Sequence, residues 1–336
     1  MQLRRLLPAS LAASLALTGC AAGDPTGEAG DGRLAVVAST SVYADIVESV
    51  GGDAVDVSAI IDKTSQDPHS YEATAQDKLL LSKADLVVRN GGGYDGFMDL
   101  LAGDLGLPAE SLVTAVDFSE EAHTEETQDG GSAGEDAHAG ESEGEDAHAG
   151  ESEPADDGHG HGSTNEHVWY DLHTVEALAA EVAERLGALR PESAELFAAN
   201  AEEFAASLAP VEQRIAALSE GTGGKTFAMT EPVPYYLLLE AGLRDGTPEG
   251  FSEAIEEGGD VSPLLLQQVQ DGLATGEYAV LAYNAQTAGP QTESVRQAAE
   301  RADVPVVEFT ETLPEGEDFV SWMTSNTEAL EAALAR

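Results

Sequence analysis

Eight histidines are the residues of this chain best suited to binding a transition-metal ion, because neutral imidazole is a common ligand of zinc and related metals. Five of them fall in one acidic tract. The other three, His69, His167 and His173, lie among residues with the apolar periodicity of folded protein. An isolated loop histidine is more often solvated than metal-bound, so a site depends on what else the fold brings to the same place.

Two further polar residues, Glu231 and Asn284, each stand at the end of a predicted strand. His69 likewise lies between a predicted strand and a predicted helix. Ligands of open α/β sheets bind at the carboxyl ends of parallel strands. Two imidazoles, one carboxylate and one further oxygen are enough for a four-coordinate sphere. His69, His167, Glu231 and Asn284 are therefore predicted to meet around one divalent metal ion.

The elements that position these residues are predicted from alternating strand and helix patterns. In the first half, strands are predicted at 34–38, 55–61, 84–88 and 112–116, and helices at 42–50, 74–83, 94–101 and 174–189. In the second half, strands are predicted at 226–229, 278–283 and 304–309, and helices at 233–241, 263–273, 292–301 and 318–334. Strands separated by helices imply parallel sheets with right-handed crossovers. The predicted fold class is α/β, with two similar lobes.

A long amphipathic helix separates the two halves and begins at Pro191. Apolar residues between Phe197 and Leu218 recur at steps of three, four and seven, which places them in one stripe along a helix. Such a helix spans about 40 Å, long enough to link two lobes. The predicted boundaries are 33–190 for the amino-terminal lobe, 191–220 for the linking helix and 221–336 for the carboxy-terminal lobe, with the metal cleft between the lobes.

The amino terminus has the pattern of an export signal. Arg4 and Arg5 precede an apolar stretch, residues 6–17, that is too short to cross a bilayer. Leu17-Thr-Gly-Cys20 resembles the lipobox of bacterial lipoproteins, which implies cleavage before Cys20 and a lipid on its sulfur; an ordinary signal with a chance cysteine is the alternative. We expect a signal peptide at 1–19, a tether at 20–32 and an extracytoplasmic protein anchored to the membrane.

Cys20 is the only cysteine, so the sequence excludes disulfides within the chain and cysteine-based zinc sites. The 63 acidic residues outnumber the 15 basic ones and give a net charge of −48. Such a charge argues against nucleic acid or an anionic membrane surface as a partner, since phosphate would be repelled. It suits cations, or serves solubility alone.

Residues 119–164 hold 15 of the acidic residues, five histidines and no Lys or Arg. Within them, residues 134–153 are one ten-residue unit, GEDAHAGESE, written twice without a mismatch. A segment with so few large apolar residues cannot bury enough surface to offset its conformational entropy, so we expect it to be disordered. It could concentrate or sense metal ions near the cleft, or be a neutral linker.

Two motifs resemble those of the zinc- and manganese-binding proteins of bacterial ABC importers. Asp67-Pro-His-Ser-Tyr-Glu72 is similar to their first-ligand motif and Asn165-Glu-His-Val-Trp-Tyr-Asp171 to their second. The run from Ala84 to Gly93 is also similar, and the resemblance covers about residues 33–335. It implies two α/β lobes bridged by one rigid helix, with the metal held between them by His69, His167 and Glu231.

The chain departs from the pattern of that family at three positions. Asn284 stands where many members have Asp or Glu, Glu166 replaces a proline, and His173 follows where members usually have proline. His173 is therefore an alternative ligand, or a residue at a helix start. Asp171 and Tyr71 are candidates for orienting a ligand imidazole, although Asp171 suits a helix cap equally well.

The resemblance implies a binding protein, not an enzyme, that captures Zn²⁺ and delivers it to the permease and ATPase of an ABC importer. We expect a monomer. The zinc assignment follows from the acidic, histidine-rich tract, which the zinc-specific branch of the family carries between its two histidine motifs; Glu231 and an oxygen at position 284 favour Mn²⁺ instead.

Three further classes of protein could use such a set of residues: a metal-dependent hydrolase, an adhesin and a metal chaperone. A hydrolase needs a metal ion, an open coordination position and a positioned base. The sequence has no His-Glu-x-x-His motif, and its candidate histidines come from separate loops. These features argue against the hydrolase, whereas an adhesin or a chaperone would differ only in the partner.

Overall fold

Four parallel strands form the sheet of the first lobe in a computed structural model that describes residues 32–119 and 165–336. They are β1 (Leu34–Thr40), β2 (Val55–Ile61), β3 (Leu86–Arg89) and β4 (Leu112–Thr114), in the order β2-β1-β3-β4. Helices α1 (Ser41–Gly51), α2 (Ala75–Leu81) and α3 (Gly96–Leu105) connect them. The apolar runs of β1 and β3 are almost completely buried, as expected for a parallel sheet covered on both faces.

The second lobe repeats this plan with β5 (Thr226–Met229), β6 (Arg244–Asp245), β7 (Tyr278–Asn284) and β8 (Val306–Phe309), in the order β6-β5-β7-β8. All its strand pairs are parallel. Its helices are α6 (Tyr235–Glu240), α7 (Phe251–Glu256), α8 (Pro263–Thr275), α9 (Pro290–Arg301) and α10 (Phe319–Leu334). The numbers α4 and α5 belong to the two helices that link the lobes.

Two helices connect the lobes: α4 (Leu172–Leu189) and α5 (Ala194–Thr222), joined by a short 3₁₀ turn at Pro191–Ser193. The 29 residues of α5 give it a length of about 43 Å. Pro210 lies inside α5, where it cannot donate a backbone hydrogen bond. The stripe predicted from sequence is the buried face of α5, and it contains Phe197, Phe204 and Leu208.

One hydrophobic core runs through both lobes. It combines side chains of β1, α1 and α4 with side chains of α5, β5 and α10. Backbone groups of the second half also donate to the first: the Leu313 N–H to Ser41 Oγ at 3.1 Å, and the Phe319 N–H to Asp45 Oδ2 at 2.9 Å. A continuous core and a continuous helix leave little freedom for the lobes to hinge.

The α/β prediction of two similar parallel-sheet lobes joined by a long helix is confirmed. The sequence patterns missed β6 and α7, because two strand residues and six helical residues are too few to give a periodic signal. Two predicted segments lie outside the described residues. One comprises the signal peptide, Cys20 and all of the tether except Gly32, and the other is the acidic tract without Ser119. Within the described ranges, no helix has both the length and the apolar character needed to cross a bilayer.

The buried stripe of α5 predicts a large difference between two leucines of the same helix. Leu208 is fully buried, whereas Leu196 is 51% exposed. We expect Leu208→Ala to lower the free energy of unfolding by about 2–5 kcal/mol through the cavity it leaves, and Leu196→Ala to change it by less than about 0.5 kcal/mol. Denaturant unfolding measures both. Equal effects would contradict the packing of α5.

Candidate metal centre

Five polar side chains come together where strands end. His69 lies between β2 and α2, and His167 lies in the turn before α4. Glu231 is two residues beyond β5, Asn284 is the last residue of β7, and Glu311 is two residues beyond β8. These are carboxyl ends of parallel strands or the turns beside them, where ligands bind in open α/β sheets.

The two imidazoles lie beside each other in the first lobe, at the edge that meets the second lobe. The ring centroids of His69 and His167 are 5.7 Å apart. His167 is fully buried, and its Nδ1 lies 2.7 Å from Asn165 Oδ1. Because that amide oxygen only accepts, Nδ1 carries the ring proton. The other nitrogen, Nε2, then has its lone pair available and has no hydrogen-bond partner among the described residues.

Asn165 is itself fixed by three further hydrogen bonds. Its Oδ1 also accepts from the His167 backbone N–H at 3.1 Å, and its Nδ2 donates to the Pro232 carbonyl at 2.8 Å. The Tyr236 hydroxyl donates to the Asn165 carbonyl at 2.6 Å. These contacts settle which amide atom is oxygen, and they hold the His167 turn against the second lobe.

The glycine run after β3 supports the same turn. Asn90 Nδ2 donates to the Glu166 carbonyl at 2.9 Å. Gly91 has a φ of +81°, and a Cβ there would lie 2.4 Å from Thr114 Cγ2. Only glycine fits such a backbone at such a contact distance. The close approach of this loop to the His167 turn and β4 therefore explains the first two glycines of the Asn-Gly-Gly-Gly sequence, and a φ of +101° explains the third.

Two glutamates approach the imidazoles. Glu311 Oε2 lies 3.7 Å from His69 Nε2, and Glu256 Oε1 lies 3.6 Å from His167 Nε2 and 3.9 Å from His69 Nε2. These separations are too long for hydrogen bonds. They are close to the separation of about 3.4 Å between neighbouring ligands of a tetrahedral ion with bonds of about 2.1 Å. His69, His167 and Glu311 each offer one donor atom, and these three atoms lie within 4.8 Å of one another.

The Asn284 side chain links two of the carboxylates. Its Nδ2 donates to Glu231 Oε2, and to Glu311 Oε1 at 2.7 Å, while its Oδ1 accepts the Gln286 N–H at 3.0 Å. The remaining oxygens, Glu231 Oε1 and Glu311 Oε2, are buried and accept no hydrogen bond of normal geometry among the described residues. The hydroxyls of Thr287 and Tyr94 nevertheless lie close enough to lower the pKa values of Glu231 and Glu311, respectively. Glu231 joins none of the three-residue groups in the described ranges whose donor atoms all lie within 4.8 Å of one another.

Burial sets the protonation of the site. Burial, together with the charges of neighbouring carboxylates, raises the pKa of Glu256 to about 9 and that of Glu311 to about 8. The largest of these charges is that of Glu166 for Glu256 and that of Glu231 for Glu311. Burial also raises the pKa of Glu231. It lowers the pKa of His167 well below its usual value, with His69 adding to the effect. At neutral pH the His167 imidazole is therefore neutral, the form that binds metal.

Three further residues that the sequence offered as ligands or orienting groups have structural contacts elsewhere. Asp171 caps α4, accepting the His173 N–H at 3.1 Å. The His173 side chain is 70% exposed, and its Nδ1 lies 3.7 Å from Glu212. The Tyr71 hydroxyl donates to Asp77 at 3.0 Å. The side chain that forms a hydrogen bond with the His167 imidazole is that of Asn165, which the sequence reasoning did not single out for this role.

Sequence reasoning also missed Glu311 and Glu256. Glu311 had a usable signal, since it follows a predicted strand as directly as Glu231 does. Glu256 had none: it belongs to a run of glutamates at the end of the short helix α7.

Comparison with known proteins identifies the family of this chain. The model of the ZnuA family, described as the zinc-uptake complex component A, periplasmic, matches residues 36–333. The manganese ABC transporter substrate-binding lipoprotein PsaA of Streptococcus mitis is 27% identical over 262 residues, covering 72% of this chain and 74% of PsaA. The manganese-binding lipoprotein MntA of Bacillus subtilis is 36% identical over 110 residues, covering 33% of this chain and 35% of MntA.

Solved structures share the fold. The periplasmic zinc-binding protein TroA of Treponema pallidum superposes with a TM-score of 0.68 at 18% identity, covering 91% of this chain and all of TroA. The protein FpvC of Pseudomonas aeruginosa, solved in complex with Mn²⁺, gives 0.66 at 19% identity, covering 90% of this chain and 98% of FpvC. Since the family model spans both lobes and both histidine motifs, this chain belongs to the ZnuA family.

Proposed function

We propose that this protein captures a divalent transition-metal ion outside the cytoplasm and delivers it to the permease and ATPase of an ABC importer. The observation that carries the proposal is the convergence of two imidazoles and buried glutamates between the lobes. His69 Nε2, His167 Nε2 and Glu311 Oε2 have the chemistry and spacing of donors around one ion. Membership of the ZnuA family and the names of the relatives support the transport role.

We propose His69, His167, Glu231 and Glu311 as the ligands. Glu231 and Glu311 are included because Asn284 holds one oxygen of each and leaves the other available. Asn284 itself stays a prediction as a ligand; the contact of its oxygen with Gln286 favours a role in orienting the two carboxylates. The lipid anchor at Cys20 is likewise proposed, with support from the lipoprotein names of the relatives.

Zn²⁺ is the proposed cargo, on the strength of the acidic, histidine-rich tract and the two imidazoles. Mn²⁺ is the second candidate, favoured by a donor set rich in carboxylates and by the relatives named for manganese. Tighter binding of zinc in a titration does not decide between them, because nearly any site of nitrogen and oxygen donors prefers Zn²⁺ to Mn²⁺.

We therefore expect the protein purified from its native host, without chelator, to contain about one tightly held zinc per chain by elemental analysis. Weaker zinc binding by the tract should disappear when residues 120–164 are deleted, and the tight site should remain. One manganese per chain in the native protein would replace the zinc proposal with its alternative. Loss of the tight site upon the deletion would show that the tract contributes to it.

The imidazole of His167 gives the sharpest test of the site. We expect His167→Ala to weaken the tight site by at least about 100-fold, because it removes a buried ligand and leaves the remaining donors incomplete. His173→Ala is the matched control, since His173 is exposed and its Nδ1 lies beside Glu212; it should leave the affinity unchanged. Competition against a chromophoric chelator measures both. Retained tight binding in His167→Ala would refute the site.

The raised pKa values of Glu311 and Glu256 predict that metal binding releases protons. A carboxyl group with a pKa of about 8 or 9 holds its proton at pH 7 and must lose it near a cation. We expect about one to two protons released per ion at pH 7, and an affinity that rises with pH up to about 9. Calorimetry in two buffers of different ionisation enthalpy gives the proton count.

The same groups affect the stability of the protein without metal. Their pKa values are higher in the folded protein than in the unfolded chain, so the folded state binds more protons between about pH 4.5 and 9. The contribution of these glutamates to the free energy of unfolding therefore falls as pH rises through that window. Metal should reverse this trend, because it replaces the protons. Metal binding with no proton exchange at pH 7 would contradict the assignment of these groups to the site.

A further inference from the structure

Glu256 lies outside both histidine motifs and follows no strand, yet its carboxylate approaches both site imidazoles. We propose that Glu256 is an additional metal ligand, so that the ion is held by two nitrogens and three carboxylates and is at least five-coordinate. The inference rests on the proposed function, because it concerns the same ion. It assigns to the site a donor from α7, an element that contributes no residue to the predicted site.

The first support is geometric. Glu256 is the last residue of α7, and its side chain is only 15% exposed. One oxygen, Oε1, lies 3.6 Å from His167 Nε2 and 3.9 Å from His69 Nε2. It is buried, with no hydrogen-bond partner among the described residues. The carboxylate therefore lies beside both site imidazoles, and one of its donor atoms forms a group within 4.8 Å with donor atoms of His69 and Glu166.

The second support is chemical. The Nδ1–H of His167 is used by Asn165, so the neutral ring turns an acceptor, Nε2, toward Glu256. Glu256 Oε1, ionised or protonated, lies 3.6 Å from this nitrogen, which is too long for a hydrogen bond. Both atoms are therefore left unsatisfied away from water. A cation between them would turn this unfavourable arrangement into two coordinate bonds.

The third support is electrostatic. Glu256 ends a helix, where the helix dipole disfavours a negative charge. Glu231 and Glu311, the other buried glutamates of the site, add further acidic groups to the same space. Within the described ranges, no Lys or Arg nitrogen comes within 4.0 Å of an oxygen of these three glutamates. A buried carboxylate usually has such a partner, and here a divalent ion would supply it.

The inference also narrows the class of ion. Three carboxylates and two imidazoles form an oxygen-rich set for five or six coordinate bonds. Such a set suits Mn²⁺ and other ions that accept higher coordination, and it admits Zn²⁺ in its five-coordinate form. Ions that require a strict four-donor tetrahedron of soft ligands are disfavoured.

Cobalt(II) is the probe for the test, because four-coordinate Co²⁺ absorbs visible light much more strongly than five- or six-coordinate Co²⁺. The full chain would be loaded with Co²⁺ as wild type, Glu256→Gln, Glu256→Ala and Glu253→Gln. Glu253 is an exposed glutamate on the same helix and serves as the matched control. The isosteric Gln variant keeps the test valid if the Ala variant fails to fold.

We expect weak absorption from the wild type and the control, and stronger absorption from both Glu256 variants as a donor is lost. The affinity for Zn²⁺ should fall by at least about tenfold in both Glu256 variants, and stay unchanged in the control. The inference would be overturned if the wild type already gave a four-coordinate spectrum. It would also be overturned if the Glu256 variants left both the spectrum and the affinity unchanged. Either result would leave the proposed function intact. Tight binding that survives His167→Ala would overturn the proposed function itself.

Discussion

The arrangement of this protein depends on placing acids and imidazoles together in a space closed to water. Glu231 and Glu311 are almost completely buried, and Glu256 lies beside them within reach of two imidazoles. Burial without a compensating charge is unfavourable for every one of these groups. A divalent ion between them is the partner that we propose for these groups.

The scaffold explains how such a space can exist. Each lobe ends its parallel strands at the same edge, and the two edges face each other because one hydrophobic core and the helix α5 fix the lobes. The side chains around the cleft are then held from behind. Asn165 orients one imidazole, and Asn284 holds two carboxylates. A preformed set of donors loses little freedom when it binds an ion, which favours tight and selective capture.

Much of this could be predicted from the sequence, and the limits have physical causes. The two-lobe fold followed from periodic patterns that continue over whole elements. His69 and His167 were predicted because they stand in distinctive motifs, and Glu231 because it follows a strand. Glu311 was overlooked although the same argument applied to it. Glu256 could not be predicted, since its approach to the imidazoles depends on the path of a six-residue helix. The role of Asn284 depends on which atoms of its amide face the carboxylates, and no sequence pattern specifies that.

The most direct measurement is a crystal structure of the protein loaded with its metal, with anomalous diffraction recorded at the absorption edge of that metal. We predict one strong anomalous peak between the lobes, within about 2.0–2.3 Å of His69 Nε2, His167 Nε2 and an oxygen of Glu311. A tightly bound ion located elsewhere, with these three side chains unchanged and remote from it, would contradict the proposal that the cleft between the lobes holds the transported ion.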